Sequence, residues 1–224
     1  MVMEWLFPPQ CVCCQNFTSN GTKICEFCLI DFPFFALSQN NLLMRPDIAR
    51  LVNLPHCNGL MACSWYQGAL KVWLSEYKFH GKVHHKSVLQ QLISHQIQQF
   101  CQTSHFVPDL CLIMPLAYRR YFWRGYNQVT QTWMTALKNI APISSSLKRL
   151  RTTKPQSKLN RKQRRTNIKG AFYVAQSLQG KKVVIVDDVI TTGSTMDEAA
   201  QACIQAGAAE VWAFVTALTP LFSK

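Results

Sequence analysis

The chain has 224 residues, 48% of them hydrophobic, and a formal net charge of +13. That size and apolar content fit one compact domain with a small appendage. No apolar run reaches the roughly 18 residues of a membrane span, which excludes a simple transmembrane chain. The first residues have no basic n-region, carry Glu4 and reach Pro8-Pro9 early, so they do not read as a secretory signal. A cytoplasmic protein with its ten cysteines reduced is expected.

Residues 1–36 read as a separate module. Cys11-x-x-Cys14 and Cys25-x-x-Cys28 flank a turn marked by Asn20-Gly21. Paired knuckles of this kind offer four soft thiolates to a tetrahedral zinc ion, and filling all four positions makes the site structural rather than catalytic. Scattered core cysteines and a redox pair are the competing readings. Cys13 adds a further candidate donor beside Cys11 and Cys14. The aromatic stretch Phe32-Pro33-Phe34-Phe35 is expected to dock the module on the main domain, residues 37–224.

Elements then follow in order. Residues 38–55 look irregular to helical, and a strand is predicted over Leu60–Tyr66. Leu70, Trp73, Leu74 and Tyr77 take the i, i+3, i+4, i+7 positions of an amphipathic helix. A second helix, 86–100, faces inward with Leu89, Leu92, Ile93, Ile97 and Phe100. A buried strand over Leu110–Pro115 leads to a basic, aromatic loop, Arg119–Gly125. A helix over Tyr126–Ala141 buries Val129, Trp133, Met134 and Leu137. Strands are predicted near Phe172–Ala175, Lys182–Val186 and Glu210–Leu218. Alternating strands and helices imply a mostly parallel sheet, with its site at the strands' carboxyl ends. Cys57, Cys63, Cys101, Cys111 and Cys203 read as small core residues. His80, His84 and His85 read as an exposed polar helix start rather than as metal ligands.

Charge is distributed unevenly. The interval between Asp109 and Asp187 contains no acidic residue, yet it holds 16 of the 24 lysines and arginines. A solvated basic face would explain a shorter run. This one points to a polyanion, either a pyrophosphate group or a nucleic-acid backbone. The candidate contacts are Arg119, Arg124, Arg149, Arg151, Arg161, Lys162, Arg164 and Arg165. Pro155 marks a loop, and a short helix is predicted from Lys158 to Asn167. Few aromatics interleave with these charges, so contacts would be to phosphates and weakly sequence-specific. Trp123 is open to either base stacking or packing.

The most informative segment is Val186-Asp187-Asp188-Val189-Ile190-Thr191-Thr192-Gly193-Ser194-Thr195. A buried strand runs into two adjacent carboxylates, then into a hydroxyl-rich turn. A helix follows with Met196, Ala199, Ala200, Cys203 and Ile204 on one face and Gly207 at its left-handed end. Turn N–H groups and a helix N-terminus make a phosphate cradle. The carboxylates suit ribose hydroxyls and Mg²⁺. The decapeptide resembles the 5-phosphoribosyl-1-pyrophosphate (PRPP) motif of type I phosphoribosyltransferases. That resemblance implies the corresponding α/β fold, a mostly parallel central sheet flanked by helices. It also implies that Asp187 and Asp188 hold the ribose in a catalytic role, with Thr191, Thr192, Gly193, Ser194 and Thr195 around the 5′-phosphate.

Along nearly its whole length the chain is similar to the ComF family of competence-associated, phosphoribosyltransferase-like proteins. The likeness is carried by the CxxC pairs and by Tyr66-Gln67-Gly68 with Tyr77-Lys78-Phe79. Pro115-Leu116, Arg120 and Arg124-Gly125-Tyr126-Asn127-Gln128 extend it, as do the basic segment from Arg149 to Phe172 and the PRPP motif. It implies a cytoplasmic role in natural transformation and the handling of imported single-stranded DNA. Structural Zn²⁺, PRPP with Mg²⁺, and other competence or DNA-processing proteins as partners are also implied. A phosphoribosyl transfer to a nucleobase or other small acceptor is the alternative, and no reaction follows from the resemblance itself.

Overall fold

The computed structural model describes residues 9–18, 21–37, 41–79, 82, 84–116, 126–150 and 168–221. Its centre is a parallel sheet built from β1 (Gly59–Trp65), β2 (Leu110–Ile113), β3 (Ile143–Ser144), β6 (Lys182–Ile190) and β7 (Glu210–Leu218). They lie in the order β1-β7-β6-β2-β3. Parallel neighbours need crossovers that cover both faces, which explains why β6 and β7 read as near-continuous apolar runs. The helices on those crossovers are α3 (Gly68–Phe79), α4 (His85–Thr103), α5 (Gln128–Leu137) and α6 (Ser194–Gln205). Short helices α1 (Glu26–Ile30) and α2 (Pro46–Ala49) and a 3₁₀ turn at Leu42–Met44 lie outside these crossovers.

The sheet separates two cores. Val183 and Ile185 of β6 pack with Met196, Ala199 and Cys203 of α6. Val184 and Val186 pack on the other face with Trp133 of α5 and Phe100 of α4. α3 buries Leu70, Trp73, Leu74 and Tyr77, the four positions its periodicity selected. The cysteine module rests on this second face. Ile24 is buried there among Leu70, Trp73 and Leu89, and Gln91 Oε1 accepts from the backbone N–H of Lys23 at 2.6 Å. The Phe32 ring stacks on Trp73, and the Phe35 N–H donates to the Cys63 carbonyl of β1.

Several expectations are corrected. β6 does not end at Val186. It continues to Ile190 because β7 runs beside it, pairing Asp187 with Val215 and Ile190 with Leu218. The strand near Phe172 is not in the central sheet. As β5 (Phe172–Val174) it pairs antiparallel with β4 (Leu147–Arg149) in a separate ribbon. α5 starts at Gln128, where the Asn127 side chain accepts from the Val129 N–H, and Met134 is only half-buried. Ile204 and Cys101 face solvent, whereas His85 is buried. The loop Arg119–Gly125 and the helix predicted from Lys158 to Asn167 lie outside the described residues. Among the described residues no helix is long and apolar enough to cross a membrane.

Candidate functional site

The site is built where β6 hands over to α6. Gly193 precedes the helix with φ of 86°, a left-handed value that favours glycine. A Cβ there would stand 2.8 Å from the Asn53 carbonyl oxygen, so glycine is also required by close approach. The same loop is tied by the Asn53 N–H to the Thr192 carbonyl at 3.1 Å. Further along, both oxygens of Asp197 hold His56: the backbone N–H at 2.9 Å and the ring Nδ1 at 3.1 Å. Thr192 Oγ1 and Ser194 Oγ are 3.2 Å apart at the helix mouth. Thr191 is exposed, and Thr195 is part-buried on the first helical turn. The turn from Thr191 to Thr195 therefore caps a twelve-residue helix whose first N–H groups and dipole favour an anion.

The two carboxylates are not equivalent. Successive residues of a strand point to opposite faces. Asp188 follows Val184 and Val186 onto the α3/α5 face, where Lys78 Nζ meets its Oδ2 at 2.9 Å. Gln128 Nε2 donates to the same oxygen at 2.7 Å. Burial pushes the Asp188 carboxyl up, but the Lys78 charge and the hydrogen bonds from Gln128, Lys78 and the Val189 N–H outweigh it. Its pKa lies below the ordinary carboxylate value. Asp187 Oδ1 accepts from the Asp188 backbone N–H at 2.8 Å.

Neither Lys78 nor Gln128 was selected as a site residue from the sequence. Both belong to segments that the family resemblance had marked, Tyr77-Lys78-Phe79 and Tyr126-Asn127-Gln128. The fold brings these segments together. The Tyr126 hydroxyl donates to the Tyr77 carbonyl at 3.3 Å, and the two rings are 5.7 Å apart. The signal was in the helical period, since Lys78 continues the buried stripe of Leu70 and Leu74 at i+4 spacing. A cavity of about 940 Å³ has Asn127 in its wall, with Ile113, Pro115, Met134, Ile143 and Lys148.

The cysteines form a second centre. Ligand atoms of Cys11, Cys14, Cys25 and Cys28 all lie within 4.8 Å of one another; Cys13 is exposed and outside the group. Cys14 Sγ and Cys25 Sγ stand 3.7 Å apart, near the ~3.8 Å edge of a tetrahedron with ~2.3 Å zinc–sulfur bonds. Backbone N–H groups of Cys13 and Cys25 point at Cys11 Sγ, and that of Cys28 at Cys25 Sγ, each at 3.4 Å. Burial raises the Cys11 thiol, but the N–H groups of Cys25, Cys14 and Cys13 bring it down to about 6. Four clustered sulfurs, two of them supported by N–H groups, fit a structural metal ion.

A third group joins Glu76, His84 and His85. Glu76 Oε1 is held by Lys82 Nζ at 2.7 Å and Oε2 by His85 Nε2 at 2.6 Å. Both carboxylate oxygens are thus taken by neighbours, and the group reads as a structural network. Of the basic candidates, Arg149 lies on β4 with its guanidinium 5.3 Å from the Phe172 ring centre. Arg119, Arg124, Arg151, Arg161, Lys162, Arg164 and Arg165 lie outside the described residues. The ends of the basic segment are fixed by the Leu150 N–H on the Ala171 carbonyl and the Gly170 N–H on Glu198 of α6.

Fold and site together define a phosphoribosyltransferase-type domain, and the phosphoribosyl transferase domain family matches residues 134–220. The DNA utilization protein YhgH of Escherichia coli O157:H7 is 29% identical over 211 residues, covering 90% of this chain and 88% of that protein. Competence protein F of Haemophilus influenzae is 28% identical over 194 residues, 84% of this chain and 81% of that one. Competence protein ComFC of Streptococcus pneumoniae is 29% identical over 149 residues, 66% and 63% respectively. These relatives and the matched domain support a place in the ComF family, and the fold is that of a phosphoribosyltransferase.

Proposed function

We propose that this protein serves natural transformation as a cytoplasmic factor that handles imported single-stranded DNA, and that its phosphoribosyltransferase-type site binds PRPP with Mg²⁺. One observation carries the ligand: the Thr191–Thr195 turn, shaped by Gly193, opens α6 directly after the carboxylates of β6. N–H groups and hydroxyls there suit the 5′-phosphate, and Asp187 suits the ribose and its metal ion. The competence and DNA utilization names of the relatives support the cellular role. The described ends of the basic segment join the β4/β5 ribbon and, through the Gly170 N–H, Glu198 of α6. In the cysteine module Cys11, Cys14, Cys25 and Cys28 would hold Zn²⁺, which would lock the knuckles against α3 and α4.

A transferase reading is favoured by the cavity beside Asn127, whose neighbour Gln128 touches Asp188. There the C1′–pyrophosphate bond would break through an oxocarbenium-like state, and basic side chains with the metal would steady the departing anion. An acceptor nucleophile would then take C1′.

Calorimetric titration of PRPP with Mg²⁺ tests the ligand. The wild-type protein is expected to bind, and Asp187→Asn to lose at least tenfold in affinity with its thermal melting unchanged. Absence of binding by the wild-type protein would mean that the motif survives as scaffold only.

A further inference from the structure

Beside the acidic pair lies a buried group whose hydrogen bonding is incomplete. Gln128 is 4% exposed. Its Nε2 is spent on Asp188, while its Oε1 is buried with no hydrogen-bond partner among the described residues. A buried amide oxygen without a donor bears the full desolvation cost of that group, and native structures seldom keep one without a use. On the same Asp188 oxygen sits Lys78 Nζ, whose side chain is 11% exposed. An ammonium has three protons to give, and its contact with Asp188 uses one. An acceptor that needs a donor and a donor with protons to spare are therefore held at one carboxylate oxygen, at the carboxyl end of β6.

The chemistry of the missing partner follows from this pairing. A phosphate oxygen would satisfy Lys78 but offer nothing to Gln128 Oε1, and it would meet the charge of Asp188. An ammonium would satisfy Gln128 and repel Lys78. A hydroxyl donates and accepts at once and carries no charge. We propose that Lys78 and Gln128, presented by α3 and α5, form a subsite for one ring hydroxyl of the phosphoribosyl ligand. The hydroxyl donates to Gln128 Oε1 and accepts from Lys78 Nζ, while Asp188 orients both side chains. This assignment rests on the phosphoribosyl reading of the site. It extends sugar recognition to two residues outside the decapeptide.

The test compares ribose 5-phosphate with 2-deoxyribose 5-phosphate and 3-deoxyribose 5-phosphate by calorimetry, with PRPP and Mg²⁺ as reference. The wild-type protein is expected to discriminate about tenfold or more against one of the two deoxy sugars. In Gln128→Met that ratio should fall to within about twofold, with cooperative melting retained; Lys78→Arg, which keeps the charge, should weaken the preference without abolishing it. Equal binding of all three sugars by the wild-type protein would overturn the subsite while leaving the phosphoribosyl reading intact, and would assign the pocket to water. A preference that persists in Gln128→Met would overturn it as well. Failure of the wild-type protein to bind PRPP and every sugar phosphate would bring down both.

Discussion

At the residue scale, Asp188 links stability to the site. Its partner Lys78 is slightly more buried than it is, with 11% of the Lys78 and 13% of the Asp188 side chain exposed. Removing one member of such a pair leaves the other charge stranded in a poor solvent. Asp188→Asn is therefore expected to cost about 3–5 kcal/mol in unfolding free energy, and the double variant with Lys78→Met to regain part of it; chemical denaturation measures both. Asp187→Asn is therefore the cleaner probe of ligand binding. The acid limb of the stability profile follows from the depressed carboxyl. The stabilisation is fully present above the ordinary aspartate pKa of about 3.9 and disappears as pH falls through the lower folded value. Melting curves from pH 6 to pH 2 should show a steeper acid loss for the wild-type protein than for the double variant. The turn from Thr191 to Thr195 was legible as a strand-to-helix turn because its residue types spell out its geometry. Lys78 and Gln128 were not, because a lone polar residue on an amphipathic helix is read by default as solvent-facing. Only the i+4 register with Leu70 and Leu74, or with Thr132 and Ala136 for Gln128, places them inside.

At the element scale, the cysteine knuckles and the β4/β5 ribbon behave oppositely. The knuckles were legible because ligand spacing is a local property, and the structure separates Cys13 from the four thiols that cluster. Chelation at neutral pH is expected to lower the melting temperature by several degrees, since α1 buries no residue of its own. Cys13→Ser should retain one equivalent of zinc by metal analysis, and Cys11→Ser should lose it. The ribbon was misplaced because three-residue strands carry almost no period. Nothing local tells a strand of the sheet from an antiparallel pair outside it. The end of β6 was set short for a related reason: adjacent carboxylates look like a turn, and only the neighbouring β7 keeps them in the ladder.

At the scale of the whole molecule, charge was the most readable property. With +13 in total and the surplus gathered between β4 and β5, affinity for single-stranded DNA is expected to fall steeply with salt. Replacing Arg161, Lys162, Arg164 and Arg165 by glutamine should reduce the slope of log K against log salt by up to about 3, whatever the DNA sequence; fluorescence anisotropy at several ionic strengths reads it directly. The sheet order has a further consequence, for the order in which the chain is made. Among the described residues β1 has its one strand neighbour in β7, Gly59 facing Trp212 across the intervening chain. During synthesis the first strand of the sheet must wait, unpaired along that edge, until nearly the last strand has emerged. A nascent chain halted before residue 210 would present open edges of both β1 and β6, the form most prone to pair with its own kind. Truncated products of this protein should therefore appear in the insoluble fraction, and chaperones that shield strand edges should matter more to its yield than to that of a fold closed by local pairings.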